Sequence, residues 1–271
     1  NLIFGCGGYV SFPISFASIF FKIPLVIYDN NMILGRANKY LLSFSKKIFL
    51  AKDNVLNFPE KYKYKSYEVG HILSKNITNY QNHKRENSKK EISLLILGGS
   101  QGAEIFGEII PPVIKMIKDK GYEIKISQQC LSKQEESIKK IYEKNEIKKY
   151  FFHFEKNILK LISDSDFAIT RCGASTIAEL THTQTPFIGV PLPNSIDNHQ
   201  YLNAKYYENK GCCWILEQKI FNTHNLFNLI MGIIKNKNKL ELARENMKKN
   251  YKNDVYSHIE KEIKEFLNYE N

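Results

Sequence analysis

Three times between residues 92 and 204, a short apolar run ends in a glycine or polar turn that leads directly into a helical pattern. "ISLLIL" (92–97) meets "GGSQGAEIFGEII" (98–110), "DFAIT" (166–170) meets "RCGASTIAEL" (171–180), and "PFIGVP" (186–191) precedes "NSIDNHQYLNA" (194–204). Such apolar runs have the length of buried strands, and a strand that feeds a helix through a tight turn returns to its sheet by a crossover. Few folds satisfy repeated units of this kind. They require an α/β chain with parallel strands, helices on both faces, and polar turns gathered at the carboxyl edge of the sheet.

The alternation extends to both ends. "NLIFG" leads through Gly7-Gly8 to a helix expected near 12–22, "PLVIYD" (24–29) is a strand before a helix near 34–45, and "KIFLA" (47–51) is a further strand. Residues 76–91, "NITNYQNHKRENSKKE", are polar, charged and aperiodic, and read as linker sequence. Beyond them, strands are expected at 92–97, 122–127, 150–154, 166–170, 186–191 and 213–216, and helices near 102–119, 133–145, 157–163, 174–183 and 198–209, with a helical tail from 224. A chain of 271 residues accommodates two such lobes. The expected division is a first lobe over 1–80, a linker over 81–91, a second lobe over 92–253, and a C-terminal helix over 254–271 that packs back on the first. The chain opens at Asn1, not Met, and is at once inside a strand entering a glycine turn, so a preceding N-terminal segment of the first lobe is expected.

Composition removes some partners. Lys and Arg outnumber Asp and Glu by 39 to 28, a net charge of +11, but the lysines are dispersed among Glu and Asn. A general Lys/Asn/Ile bias would produce the same net charge; no nucleic acid is expected, and attraction to an anionic membrane surface is the other reading that stays open. Five cysteines without a CxxC pair read as reduced thiols. The apolar stretch "YVSFPISFASIFFKIPLVIY" is broken by Pro13, Lys22 and Pro24 and should not span a bilayer.

The three turns carry the chemistry. Gly98, Gly99 and Gly102 allow close backbone approach to a ligand, Ser100 adds a hydroxyl, and the following helix places roughly half a positive charge at its N-terminus. Tight packing alone would also explain the glycines. In the second turn Gly173 precedes a helix with Ser175 and Thr176 in its first turn, and Glu179 one turn further can accept hydrogen bonds from both hydroxyls of a ribose. A salt bridge on the helix face is the alternative for Glu179. In the third turn Asp197, Asn198, His199 and Gln200 read either as a sugar-binding cluster or as an elaborate helix cap.

Taken together, "GGYVSFP" (7–13), "IPLVIYDNN" (23–31) with "NKYLL" (38–42), "GGSQGAE" (98–104), "RCGASTIAEL" (171–180) and "DNHQYLNA" (197–204) resemble the bacterial cell-wall glycosyltransferases that add N-acetylglucosamine (GlcNAc), from UDP-GlcNAc, to undecaprenyl-pyrophosphoryl-MurNAc-pentapeptide, lipid I, giving lipid II. The resemblance implies two Rossmann-like doubly wound lobes (the GT-B architecture), the first incomplete here, with the donor bound mainly by the second. It implies that Ser100, with Gly99, Gln101 and Gly102, meets the donor pyrophosphate. Ala174, Ser175 and Thr176 would bracket the nucleoside, with Glu179 on the ribose; Gln200 would read the GlcNAc hydroxyls, and Asn31 would face the sugar. Gly7, Gly8 and Tyr9 would hold the acceptor pyrophosphate. The implied reaction is inverting, with no metal and no cofactor, helix dipoles and backbone amides stabilising the departing UDP. The implied location is peripheral, on the cytoplasmic face of the inner membrane, with other cell-wall synthesis proteins as partners. Of Phe12, Ile14, Phe16, Ile19, Phe20 and Phe21, most are expected to be sandwiched between sheet and neighbouring helix, and Ile19 and Phe20 to lie near lipid.

This chain departs from the family at several places, among them Tyr28-Asp29-Asn30-Asn31 where the family reads HEQN. The family's first glycine loop, GGTGGH, with the histidine assigned as base, is absent, so the catalytic base is unassigned and the chain by itself is expected to be inactive. "VGHILSKN" (69–76) stands where the family reads GNPVR, so the arginine that meets the donor falls at Ser74, beside Lys75; Glu155 stands where a family backbone group meets the uracil. Two other readings remain open. One is a different UDP-sugar enzyme on the same fold, such as a 2-epimerase or a lipid glycosyltransferase; the other is a non-catalytic UDP-binding remnant.

Overall fold

The computed structural model describes residues 1–80, 91–99, 103–252 and 254–268, and the chain divides into two compact units, Asn1–Ser74 with the stretch from Tyr251, and Lys75–Asn250. The first unit contains β1 (Ile3–Gly5), α1 (Gly8–Phe20), β2 (Leu25–Asp29), α2 (Arg36–Leu41), β3 (Lys47–Leu50) and β4 (Ser66–Glu68), its four strands parallel in the order β1-β2-β3-β4. Alternating side chains feed two cores, as strand geometry requires: Leu25, Ile27, Ile48 and Leu50 pack with Leu41 and Leu42 on one face, and Val26, Tyr28 and Phe49 on the other. The short strand β4, "SYE", carries no apolar run, and the sequence gives it no strand signal.

Helix α1 starts at Gly8, not near 12, because the Gly7-Gly8 turn is itself the helix start. Its buried residues are Ser15 and Ser18, not the phenylalanines. The physical reason is close approach to β1, where a Cβ added to Gly5 would lie 2.7 Å from Ser15 Oγ. Only small side chains fit that face. Among the described residues Ile14, Phe16 and Phe21 are exposed instead of sandwiched, and Phe12 packs on the core; of the two residues expected near lipid, Phe20 is exposed and Ile19 half-buried.

The second unit runs through α3 (Lys75–Thr78), β5 (Glu91–Leu97), α4 (Glu104–Asp119), β6 (Glu123–Gln129), α5 (Ser132–Lys144), β7 (Lys148–Phe152), α6 (Ile158–Ser163), β8 (Phe167–Thr170), α7 (Ala174–His182), β9 (Phe187–Gly189), α8 (His199–Asn209), β10 (Cys213–Ile215), α9 (Thr223–Ile234) and α10 (Lys237–Asn250). Its six strands are parallel in the order β10-β9-β8-β5-β6-β7. Leu94 and Ile96 face Phe106, Ile110 and Ile230, while Leu95 and Leu97 face Ile177, Leu180 and Met247. The strand expected at 150–154 ends at Phe152, leaving His153 and Phe154 in the following turn.

Of the expected linker, only Glu91 lies among the described residues, and it opens β5. The unit boundary falls at 74/75 because residues 75–80 pack within the second unit: α3 lies against α7, and the Tyr80 hydroxyl lies 2.8 Å from Ser163 Oγ. After α10 the chain returns to the first unit as α11 (Val255–Asn268). There Ile259 and Ile263 pack against the Val26, Tyr28 and Phe49 cluster, Lys47 pairs with Glu262 at 2.6 Å, and the Tyr256 hydroxyl donates to Leu73 O at 2.5 Å.

Candidate functional site

Strand order locates the crevice of the second unit. β5 and β8 are neighbours, yet the chain leaves β5 toward β6 on one side and leaves β8 toward β9 on the other. The carboxyl ends of β5 and β8 therefore mark the switch point, the place where open parallel α/β sheets take their ligands. Gly99, in the turn after β5, has φ +79°, and a Cβ there would meet nothing closer than 3.8 Å, so backbone conformation, not space, requires the glycine. Ser100, Gln101 and Gly102 lie outside the described residues. Ala103 then leads into the sixteen residues of α4.

The second turn is held by Arg171. Its guanidinium is buried and donates to Val190 O at 3.0 Å, Pro191 O at 3.4 Å and Gln218 Oε1 at 2.7 Å, and it stacks 5.0 Å from the Phe106 ring centroid. One planar fork thus joins the turns after β8 and β9 to the segment that follows β10. Burial lowers its pKa. From there Gly173 leads into α7 without a side-chain cap, so the N–H groups of the first helical turn face outward unclaimed by a side chain. Ala174 is buried, Ser175 exposed and Thr176 half-buried. One turn on, Glu179 is half-buried; burial pushes its carboxyl pKa up, and among the described residues no cation or side-chain donor meets it. The alternative of a helix-face salt bridge is not realised among those residues.

The third turn is fixed by Gln200. Its Oε1 accepts from Cys172 N at 3.1 Å and from Leu192 N at 3.0 Å, tying the two turns together. The amide oxygen is therefore committed, and only the NH₂ end can address a ligand. Asn203 Nδ2 adds a bond to Cys172 O at 3.3 Å. Asp197 and Asn198 both have positive φ (52° and 56°), which turns the chain sharply into α8, and His199 Nδ1 donates to Ile196 O at 2.8 Å. Beside this turn a recess of about 440 Å³ is lined by Leu192, Asn198, Tyr201 and Gln218. Arg171 and Asn203 stand in the quoted motifs, but nothing local in the sequence marks Gln218, which meets Arg171 from 47 positions away.

The remaining expected residues are less closely engaged. Glu155 accepts from the Tyr150 hydroxyl and from Asn157 N, both at 2.7 Å, which lowers its pKa and turns its carboxylate into its own turn. Ser74 and Lys75 are exposed, and the unit boundary falls between them. The one Asp-x-Asp triplet, Asp164-Ser165-Asp166, lies before β8, at the sheet edge opposite the turns, where Asp166 accepts from Ser93 N at 2.8 Å. It is placed for packing, not for a diphosphate.

In the first unit, Gly7 and Gly8 have φ of +77° and +78°, and Tyr9 is 89% exposed. Asn31 N donates to Asp29 Oδ1 at 3.1 Å and its Nδ2 donates to Asn30 Oδ1 at 2.9 Å. Asp29 is buried and also accepts from Gly35 N and Asn38 Nδ2, at 2.8 and 3.0 Å; burial still pushes its pKa up.

Residues 93–261 match the glycosyltransferase family 28 C-terminal domain. The chain is 40% identical over 254 residues to the UDP-N-acetylglucosamine--N-acetylmuramyl-(pentapeptide) pyrophosphoryl-undecaprenol N-acetylglucosamine transferase of Pelagibacter ubique (strain HTCC1062), across 93% of this chain and 70% of that protein. It is 39% identical to the protein of the same name from Rickettsia canadensis (strain McKiel), across 93% of this chain and 72% of that one. The fold is similar to that of the crystal structure of Acinetobacter baumannii MurG, with a TM-score of 0.80 at 24% identity, covering 98% of this chain and 73% of that one. The chain belongs to the family of UDP-N-acetylglucosamine--N-acetylmuramyl-(pentapeptide) pyrophosphoryl-undecaprenol N-acetylglucosamine transferases.

Proposed function

We propose that the crevice of the second unit binds UDP-GlcNAc, and that the first unit receives lipid I and docks on the cytoplasmic face of the inner membrane. The reaction is that of the family: GlcNAc passes from UDP-GlcNAc to the MurNAc 4-hydroxyl of lipid I, forming lipid II. The observation that carries the donor site is Glu179, half-buried and without a described partner one turn into α7, whose uncapped N-terminus opens on the switch point.

The acceptor oxygen attacks the anomeric carbon from the face opposite UDP. The bond from that carbon to the β-phosphate oxygen breaks, its electron pair leaves with UDP, and the hydroxyl proton passes to a base that the motifs of this chain do not assign. In this reading α4 and α7 aim their N-termini at the charge that develops on the leaving pyrophosphate, with Ser100 adding its hydroxyl. Ala174, Ser175 and Thr176 lie along the nucleoside and Glu179 accepts the ribose hydroxyls. Gln200, its oxygen held by two backbone amides, donates through its NH₂ to a GlcNAc oxygen. Asn31 serves the sugar from the first unit, and Gly7, Gly8 and Tyr9 the acceptor pyrophosphate.

Membrane docking rests on α1. Phe20 and Phe21 are 73% and 76% exposed and Ile14 63%, with Lys22 beside them, an apolar face bordered by positive charge. Among the described residues no helix is long and apolar enough to cross a membrane.

A transfer assay with radiolabelled UDP-GlcNAc and a lipid I analogue tests the function on the full-length protein. Label is expected in the lipid fraction. Release as free sugar, or conversion to an epimer without labelled lipid, would overturn it.

A further inference from the structure

On the other side of β5 from the turns of Glu179 and Gln200, three groups with metal-ligating chemistry converge at the carboxyl edge of the sheet. Cys130 follows β6, Glu135 lies in the first turn of α5, and His153 follows β7; their ligand atoms all lie within 4.8 Å of one another. Backbone contacts fix the arrangement. Cys130 N donates to Phe152 O at 3.2 Å, and His153 Nδ1 donates to Cys130 O at 2.8 Å, because a carbonyl can only accept. That bond sets the ring orientation and aims Nε2 at Glu135 Oε2, 3.1 Å away. Two ligands of one tetrahedral zinc, each about 2.0–2.1 Å from the metal, stand roughly 3.3 Å apart.

We propose that Cys130, Glu135 and His153 form a binding site for a borderline-soft divalent cation of the zinc type, with the fourth position left to water. The donor set of sulfur, imidazole nitrogen and one carboxylate oxygen suits zinc and cobalt, whereas magnesium and calcium require oxygen. The Nδ1 bond to a backbone carbonyl is the outer contact that orients metal-bound histidines. Cys130 is buried, while the side chains of Glu135 and His153 remain 41% and 51% exposed, so an ion can enter from solvent. A bound cation would clamp the ends of β6 and β7 to the start of α5 and stiffen the turn that carries Glu155. Cys130 and His153 stand 23 positions apart, a spacing that matches no short metal motif.

Titration of the full chain with Co²⁺, followed by the thiolate-to-cobalt charge-transfer absorption, tests the site. One equivalent is expected to raise the band. Cys130→Ser should abolish it, His153→Ala should weaken binding by about tenfold or more, and replacing the exposed Cys6 by Ser should leave it unchanged. Circular dichroism establishes that each variant is folded. Absence of the band in the unsubstituted chain would leave a simple contact between His153 and Glu135 and overturn the site. Persistence of the band in Cys130→Ser, or its loss in Cys6→Ser, would equally overturn it.

Discussion

Glu179 and Gln200 illustrate how differently two polar residues of one crevice can be constrained. Glu179 has a half-buried carboxylate with no described partner, so its acceptor capacity is available to a ligand. Glu179→Gln should weaken UDP-GlcNAc binding by about 10- to 100-fold, the value of charge-assisted hydrogen bonds worth about 1.5–3 kcal/mol, with an unchanged unfolding midpoint; calorimetry measures the first. The pH dependence follows from the sign of its shift. The ionised form is the acceptor and the pKa is raised, so affinity should fall as pH drops through a value above the ordinary 4.5. Glu179→Gln should flatten that profile. Gln200 presents the opposite case, because its oxygen is already used twice. Gln200→Glu keeps two acceptors and loses the donor, so stability should hold while the KM for UDP-GlcNAc rises. Gln200→Leu strands two amides and should lower stability by about 1–3 kcal/mol for each. Thermal unfolding and steady-state kinetics separate the two outcomes.

At the scale of elements, the units built on β2, β5, β8 and β9 were legible because those strands hold continuous apolar runs bounded by turn residues, as buried parallel strands do, whereas β4, "SYE", was not. Helix α1 misled for a physical reason. Its composition asks for a buried face, but the closeness of α1 to β1 admits only Ser15 and Ser18, a distance no local pattern encodes. Gly70 is a second case. Its φ is +97°, and a Cβ would lie 3.0 Å from Val255 Cγ2 and 3.2 Å from Lys252 Cβ, so it closes the seat of the C-terminal stretch. Gly70→Ala should destabilise the first unit by about 1–3 kcal/mol through strain and crowding together. Gly121→Ala, at φ +83° with nothing within 4 Å, should show only the backbone cost of about 1–2 kcal/mol. Chemical denaturation of both variants tests the contrast, with faster hydrogen exchange along α11 expected in Gly70→Ala alone.

For the whole molecule, the exposed face of α1 makes a prediction about location. Replacing Phe20 and Phe21 together by Ser should reduce sedimentation with vesicles containing phosphatidylglycerol, because each exposed aromatic ring loses apolar area that lipid would bury. Second-unit binding of UDP-GlcNAc should be unaffected. Retained sedimentation at low salt, abolished by added salt, would assign docking to lysines instead.

By itself the sequence determined the α/β class, the parallel strands, the position of the glycine and polar turns, and the family, because these follow from short-range periodicity and from contiguous motifs. Tertiary structure decided what lies between motifs. It bound Arg171 to Gln218 and Gln200 to two separate turns, returned α11 to the first unit, packed Phe12 on the core but left Phe16 and Phe20 exposed, and brought Cys130 to His153. Each of these is a contact between residues far apart in the chain or a spacing between packed elements, and neither leaves a periodic trace in the residues that make it.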